Sequence, residues 1–555
     1  MLIKLVAFNG RYIHSCLSLF YLRQELGKNL PECEAQMCQL TINDPYYATL
    51  TGIAAGGPAY LFLSVYVWSG EYVARLVVDL ARVMPEMKIV LGGPQALIMA
   101  EMGLPANCTV FKGEIEGAPA EFYQDLRRGQ LAPAYQADAN PPFSSPYRED
   151  DFNGELKHRH IYYESSRGCP FSCSYCLSAL EHGVRHKDLA AVKEELQLIL
   201  PAGPKIIKFV DRTFNDRPER ALVLWRFLAG QPGKTVFHFE IAPDRFTQEM
   251  LDFLATVPVD RFQFEIGIQS TNPETLAAVN RKINPAGIGE NIRRLVSFDN
   301  IHLHLDLILG LPYETAATFR QSFNDVCAWR PHYIQMGLLK VLPGTAIGRE
   351  PGFGLVHCAR PPYDVLATKW LDQQTLRQLY LVGECVEAFY NTRFFKTFLA
   401  HVLARQAEAD SFAFFEELTN HCLQQGFFER AHTQEVMSLM LHELSANRPD
   451  YELLQEFLVF DWLRCGHRFL PAHLQHDSFK QIKDHLWEQL PQNFEPLYSH
   501  QTRNDFFKRS LFYRFSAPLL AEVGLYNELD GEGYVAFLPE QTAGVLKWNK
   551  VVVVK

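Results

Sequence analysis

The chain has 555 residues, 48% hydrophobic and 21% charged, with 53 Lys and Arg against 63 Asp and Glu for a net charge of −10. That composition excludes a disordered chain, and the acidic balance excludes a generally basic, phosphate-coating surface while leaving room for a local basic groove. At roughly 150 residues per domain the length predicts three or four domains.

In chain order, Leu2 to Phe8 is a strand-like run, followed by an amphipathic segment near Leu17 to Leu26. The opening residues read as a buried first strand and not as a signal peptide. Tyr60 to Val67 is a second apolar run; even extended to Trp68 it falls far short of the roughly 20 residues a membrane span needs. The expectation is therefore a soluble, cytoplasmic protein with no membrane partner. Gly70 to Val83 has helical spacing. Lys88 to Leu91 is a third strand ending in Gly92-Gly93-Pro94, and Cys108 to Phe111 a fourth ending in Gly113-Glu114 before a helix-like Ala118 to Leu126. Strands alternating with helices imply an open, parallel, doubly wound α/β sheet of flavodoxin or Rossmann type, with ligands expected beyond the strand ends. The proline-rich stretch from Asn140 to Pro146 is a boundary.

A second series follows, with strands expected at Ile161 to Ser165, Lys205 to Asp211, Val236 to Ile241, Phe262 to Gln269, His302 to Leu309 and Tyr333 to Val341. Helical patterns such as Ala190 to Leu200, Pro218 to Phe227 and Glu274 to Val279 separate them. Six βα units predict a full or partial TIM-like β/α barrel. After Arg360-Pro361-Pro362 the pattern is mostly helical until Val551 to Val554, a short strand. The expected domains are 1–140, 150–355 and 360–555, the last mostly α-helical and with room for two subdomains.

Twelve cysteines in this length do not make a disulfide scaffold. Cys16, Cys33, Cys38, Cys108, Cys327, Cys358, Cys385, Cys422 and Cys465 are scattered and read as small core residues. Cys169, Cys173 and Cys176 crowd into one loop directly after the first strand of the barrel-like series. Three thiolates in a C-x3-C-x2-C loop can hold three irons of a four-iron cluster and leave the fourth open to a small molecule. The competing reading is a closed zinc site made with His182.

This loop, with Tyr175 before its last cysteine, resembles the signature of radical S-adenosylmethionine (SAM) enzymes. Phe209 to Asn215, Glu240 to Arg245, Glu265 to Ser270, Asp306 to Glu314 and Leu342 to Thr345 resemble later strand ends of that family, in the family's order. The resemblance covers about residues 150 to 350. It implies a [4Fe-4S] cluster on Cys169, Cys173 and Cys176, with SAM chelating the open iron and cleaved to a 5′-deoxyadenosyl radical. Tyr175, Asp211, Glu240, Glu265, Gln269, Ser270, Gly310 and Leu342 are the implied SAM contacts, and a flavodoxin or ferredoxin is the implied electron donor.

The N-terminal unit resembles the cobalamin-binding domain of cobalamin-dependent radical SAM enzymes. The implied cofactor contacts are Tyr12, Ser64, Tyr66, Trp68, Gly92, Gly93, Pro94, Gly113, Glu114 and Glu116. The Asp-x-His-x-x-Gly motif that supplies a cobalt-ligating histidine is absent, and His14 reads as a loop or helix-start residue. Residues from about 360 onward resemble the C-terminal extension of a subgroup of these proteins. In its run Phe457 to Arg464, Asp461 and Arg464 form either a surface i,i+3 pair or a contact at the barrel mouth.

The function these resemblances imply is cobalamin-dependent radical SAM chemistry, methylating an unactivated carbon of a small molecule, peptide or RNA nucleotide. The alternatives are a rearrangement, cyclisation or redox reaction without methyl transfer, and a non-catalytic metal-binding interaction module.

Overall fold

The computed structural model describes residues 1–101, 103–180, 183–283, 287–475, 484, 486–488, 502–525, 533–542 and 544–554. The first sheet contains β1 (Leu2–Asn9), β2 (Glu34–Thr41), β3 (Tyr60–Ser64), β4 (Lys88–Gly92), β5 (Cys108–Lys112) and β6 (Ala134–Gln136), in the order β2-β1-β3-β4-β5-β6. Every pairing is parallel. Side chains alternate across a strand, so each strand feeds two cores. Leu5, Tyr60 and Phe62 pack with Phe122 and Leu126 on one face. Val6, Leu61 and Leu63 pack with Val73, Leu76 and Leu80 on the other. Because both faces are covered, β1 is buried almost throughout and apolar up to Phe8 except at Lys4, whose ammonium donates to the Gly52 and Ala55 carbonyls at 2.7 Å. β2 lies at the sheet edge with a mixed burial pattern, which is why its sequence does not announce it. The chain turns opposite ways after β1 and β3, opening a crevice at their carboxyl ends.

The second sheet contains β7 (Ile161–Tyr163), β10 (Ile206–Phe209), β11 (Val236–Ile241), β12 (Phe262–Gln269), β13 (His302–Leu309) and β14 (Tyr333–Leu338), paired in sequence order and all parallel. Between β7 and β10 lies a hairpin, β8 (Ser166–Cys169) with β9 (Gly183–His186). The sheet is a six-stranded partial barrel. Leu303, Leu305, Leu307 and Leu309 of β13 are buried, whereas His302, His304, Asp306 and Ile308 alternate with them on the other face. Helices cover the apolar side, and the concave side is polar.

Both edges of this sheet are covered, as exposed edges invite pairing with other chains. Along β7, the His160 N–H donates to the Ile13 carbonyl at 2.7 Å and the Ser15 hydroxyl to the His160 carbonyl at 2.8 Å. Along β14, the side-chain amide of Asn391 stands in for a neighbouring strand. It accepts from the Ile334 N–H at 2.9 Å and donates to the Ile334 carbonyl at 2.8 Å.

The C-terminal helices, among them Gln373–Cys385, Lys396–Ala404, Ser411–Gln424 and Tyr451–Arg464, share one apolar core with the barrel. A three-stranded antiparallel sheet of Leu511–Phe515, Gly533–Gln541 and Asn549–Val554 follows, where the sequence pointed only to the last strand. Asp461 does form the i,i+3 pair with Arg464, at 3.6 Å, but in the interior and not on a surface. It is fully buried and accepts from the backbone N–H groups of Thr397 and Phe398 at 2.8 and 2.9 Å. It thus caps a helix start from a distance, where a carboxylate meets the positive end of the helix dipole.

Candidate functional site

The cysteine loop is built by the hairpin that leaves β7. Gly168 has φ of +92°, and a Cβ there would sit 2.1 Å from the Gly183 carbonyl oxygen, so the crossing requires glycine. Asp211, fully buried, accepts from the Ser165 N–H at 2.9 Å and from the hydroxyls of Ser165 and Ser166 at 2.6 and 2.7 Å. Burial raises its pKa against those hydrogen bonds. The loop's far side is tied to the turn after helix Pro273–Ala278. The Asn280 amide donates to the Ser172 carbonyl and hydroxyl at 3.0 and 2.6 Å, and the Ser174 N–H to the Val279 carbonyl at 2.9 Å.

Cys169, Cys173 and Cys176 line one cavity of about 190 Å³ together with Tyr175, Glu240, Glu265 and Gln269. Its carboxylates differ. Burial raises Glu240 to about 7, against the pull of Arg212 at 3.9 Å. Glu265 is lowered to about 2, chiefly by His238, whose Nε2 lies 3.1 Å away. Near neutral pH Glu240 is therefore about half protonated while Glu265 is ionised, the asymmetry that acid–base chemistry uses. Burial raises Asp306, while His304, 2.9 Å from it, is raised in spite of burial because the Asp306 carboxylate prevails. Gln269 and Asp306 also line a third, more open cavity of about 420 Å³ that reaches Asp364 and Tyr380.

A larger cavity, about 850 Å³, occupies the crevice of the first sheet. That lies at the upper end of the roughly 300–1,000 Å³ range of small-molecule sites. Ser64, Tyr66, Trp68, Gly92, Gly93, Pro94, Gly113, Glu114 and Glu116 all line it. The rings of Tyr66 and Trp68 stack at 4.6 Å, and the indole N–H donates to the Phe8 carbonyl at 2.9 Å. Ser178 and Arg212 line both this cavity and the cysteine cavity, so the two adjoin.

Residues 163–326 match the family model described as the radical SAM superfamily. The chain carries a radical SAM domain. Residues 352–522 match a second model, described as a protein of unknown function (DUF4080). The chain is 28% identical over 360 residues to 2-(S-pantetheinyl)-carbapenam-3-carboxylate methyltransferase of Streptantibioticus cattleyicolor, covering 55% of this chain and 50% of that protein. It is 29% identical over 217 residues to the cobalamin-dependent radical SAM methyltransferase TokK of Streptomyces tokunonensis, covering 35% of this chain and 30% of that one. The chain thus spans about half, or less, of the length of these relatives. The cobalamin-dependent SAM radical enzyme OxsB, solved with aqua-cobalamin and SAM bound, shares the fold. The TM-score is 0.56 at 15% identity, covering 83% of this chain and 78% of that one.

A radical SAM domain implies a [4Fe-4S] cluster and SAM. Among the described residues no three His, Cys, Asp or Glu converge on a single-ion site. A four-iron cluster asks each of three cysteines for a different iron and needs no such convergence. His182, the fourth donor of the zinc alternative, lies outside the described residues.

Four expected SAM contacts do not line any of these three cavities. Asp211 faces the hairpin instead. Ser270 is buried and donates to Glu314 at 2.7 Å. At Gly310 a Cβ would meet Val365 Cγ1 at 2.7 Å, so the close approach is made by a C-terminal strand. The Leu342 carbonyl closes a turn by accepting from the Thr345 N–H and hydroxyl at 3.2 and 2.6 Å. Tyr12 also lies outside the cavities; it is 60% exposed, with the Arg159 guanidinium 4.1 Å above its ring.

Sequence reasoning missed Arg167. Its guanidinium meets Glu114 at 2.5 Å, Glu116 at 2.7 Å and Glu164 at 2.8 Å, and stacks 4.2 Å from the Phe143 ring. Glu114 also pairs with Arg185. Burial raises Glu116, opposed by Arg167. The only sequence signal was the position of Arg167 two residues before Cys169. His14, also unassigned, lines the large cavity, its Nδ1 2.6 Å from the Tyr162 hydroxyl. Burial and the charges of Lys208 and Arg11 lower its pKa.

Proposed function

We propose that the chain is a cobalamin-dependent radical SAM enzyme that methylates an unactivated carbon. The observation that carries this reading is the adjoining of the large cavity at the first sheet's carboxyl end with the cysteine-lined cavity at the barrel's carboxyl end. Two cofactors acting on one substrate must face one space. The activities of the carbapenam and TokK relatives, both methyltransferases, support the same reading.

When bound, the cluster and SAM supply a one-electron route to carbon radicals, and the corrinoid supplies a carrier for the methyl group. Cys169, Cys173 and Cys176 would hold the cluster. Tyr175, Glu240, Glu265 and Gln269 would contact SAM, with Asp211 and Ser270 as positioning residues behind them. Ser64, Tyr66, Trp68, Gly92, Gly93 and Pro94 would hold the corrinoid, with Gly113, Glu114 and Glu116 at its far side. Arg167 binds the Glu114 loop of the first sheet to the cysteine hairpin, so the two halves of the site are held in one register. Glu240 exchanges its proton near neutral pH beside the ionised Glu265. The C-terminal region, through Asp364 and Tyr380, lines the more open side of the barrel.

This assigns residues 1–140 to the corrinoid, 150–355 to radical generation and 360–555 to enclosure, with a flavodoxin or ferredoxin as electron donor in a reducing cytoplasm. Among the described residues no helix is long and apolar enough to cross a membrane.

The test is anaerobic reconstitution with iron, sulfide, hydroxocobalamin and SAM under a low-potential reductant. Formation of both 5′-deoxyadenosine and S-adenosylhomocysteine is expected, and Cys173→Ala should lower the first below detection while leaving corrinoid retention intact. 5′-Deoxyadenosine without S-adenosylhomocysteine would replace methyl transfer by rearrangement, cyclisation or redox chemistry. Neither product would leave a metal-binding interaction module.

A further inference from the structure

The turn that grips the cysteine loop also delivers a cation to it. Arg281 follows Asn280, which adopts the left-handed conformation at φ 54°, one that asparagine tolerates better than most residues. The Arg281 N–H closes the turn on the Leu276 carbonyl at 2.9 Å. The side chain then enters the cysteine cavity. Nη1 donates to the Cys173 sulfur at 3.6 Å and Nη2 to the Gly267 carbonyl, and the guanidinium lies 5.6 Å from the Phe171 ring centroid.

Among the described residues no carboxylate forms an ion pair with Arg281, and its hydrogen-bond acceptors are the Gly267 carbonyl and the Cys173 sulfur. A guanidinium in such a pocket is costly unless an anion faces it. The Cys173 sulfur is the acceptor that ligation to a cluster would make anionic. Asn280 also holds Ser172, next to that cysteine, so the donor and the sulfur belong to one tied unit.

We propose that Arg281 is a positioning residue that hydrogen-bonds the Cys173 sulfur and raises the reduction potential of the cluster. The inference rests on Cys169, Cys173 and Cys176 being its ligands. Reduction adds one electron from a low-potential donor and changes no covalent bond. A fixed positive charge and an N–H donor at a ligating sulfur favour the more negative, reduced form, since cluster potentials follow charge and hydrogen bonds to sulfur.

The experiment uses the full chain, reconstituted and titrated with titanium(III) citrate under electron paramagnetic resonance, as wild type, Arg281→Lys and Arg281→Met. With equal iron and sulfide content, the Met variant should have the most negative midpoint and the Lys variant an intermediate one. The expected wild-type-to-Met difference is at least tenfold in the reduction equilibrium, about 59 mV for one electron. One shared midpoint overturns the proposal. In wild type carrying 15N-arginine, pulsed resonance on the reduced cluster should detect a 15N coupling that Arg281→Lys removes. Its absence from wild type overturns the proposal even where the Met variant takes up no cluster. A wild-type protein that binds no iron overturns the cysteine assignment itself.

Discussion

β1 and β13 are both eight-residue parallel strands, yet one is buried at seven successive residues and the other at every second residue. The first sheet has helices on both faces, and its central strands spend nearly all their side chains on two cores. Its ligand space therefore gathers at the strand ends and the loops that follow them. The second sheet has helices on one face, which frees Glu240, Glu265, Gln269 and Asp306 to project from the strands themselves into a cavity. The same parallel pairing thus builds a crevice at strand ends and loops in one half and a polar wall formed by strands in the other. Residues on strands are held more firmly than residues on loops, which suits the half that must orient reacting groups.

Three experiments test this contrast, in descending order of expected effect. Arg167→Ala removes the cation at the junction and leaves three partly buried carboxylates without it. Breaking such a pair costs about 3–5 kcal/mol, and chemical denaturation should show that loss together with separate unfolding of the two sheets. A single cooperative transition at unchanged midpoint would mean that Arg167 does not join them.

Glu314→Gln probes the buried side of the barrel. Glu314 is fully buried, and burial raises it to about 8, against hydrogen bonds from Ser270 and Ser322. The folded state therefore binds the proton more tightly than the unfolded state, whose value is about 4.5. Stability is complete below the unfolded value and falls as pH rises toward about 8, by roughly 3 kcal/mol at pH 7. The Gln variant should lose most of that slope in melting temperature against pH. An unchanged slope would show that Glu314 is not the group responsible.

The smallest effect separates two aromatic residues near the first sheet's loops. Trp68→Ala should weaken hydroxocobalamin binding about tenfold, or 1.4 kcal/mol, because Trp68 lines the large cavity. Tyr12→Ala should leave it unchanged, because Tyr12 stands outside and packs under Arg159. Equal losses, measured by visible spectroscopy, would extend the site beyond the crevice.

Much of this architecture was legible from residues alone where one constraint dominates. Val236–Ile241, Phe262–Gln269, His302–Leu309 and the helix Gly70–Val83 occupy the spans expected of them, because alternating or helical burial imprints a period on the sequence. β2 and the β8–β9 hairpin were not legible, since their burial is mixed or their residues serve the loop. At the site, Glu240, Glu265 and Gln269 face the cavity, whereas Asp211 and Ser270, also polar, turn away from it. The first three lie within β11 and β12, but Asp211 and Ser270 fall just past the ends of β10 and β12, where buried hydrogen-bond partners from the hairpin and from Glu314 take them up.

By itself the amino-acid order determined the C-x3-C-x2-C loop, the two parallel α/β series and their sequence, because thiolate spacing and hydrophobic period are local properties. Only the tertiary structure decided that the two strand-end cavities adjoin at Ser178 and Arg212, that Arg167 binds one to the other, and that Arg281, more than a hundred positions from Cys173, reaches its sulfur. These are contacts between distant segments, and no local period records which distant side chain will fill the space a loop leaves open.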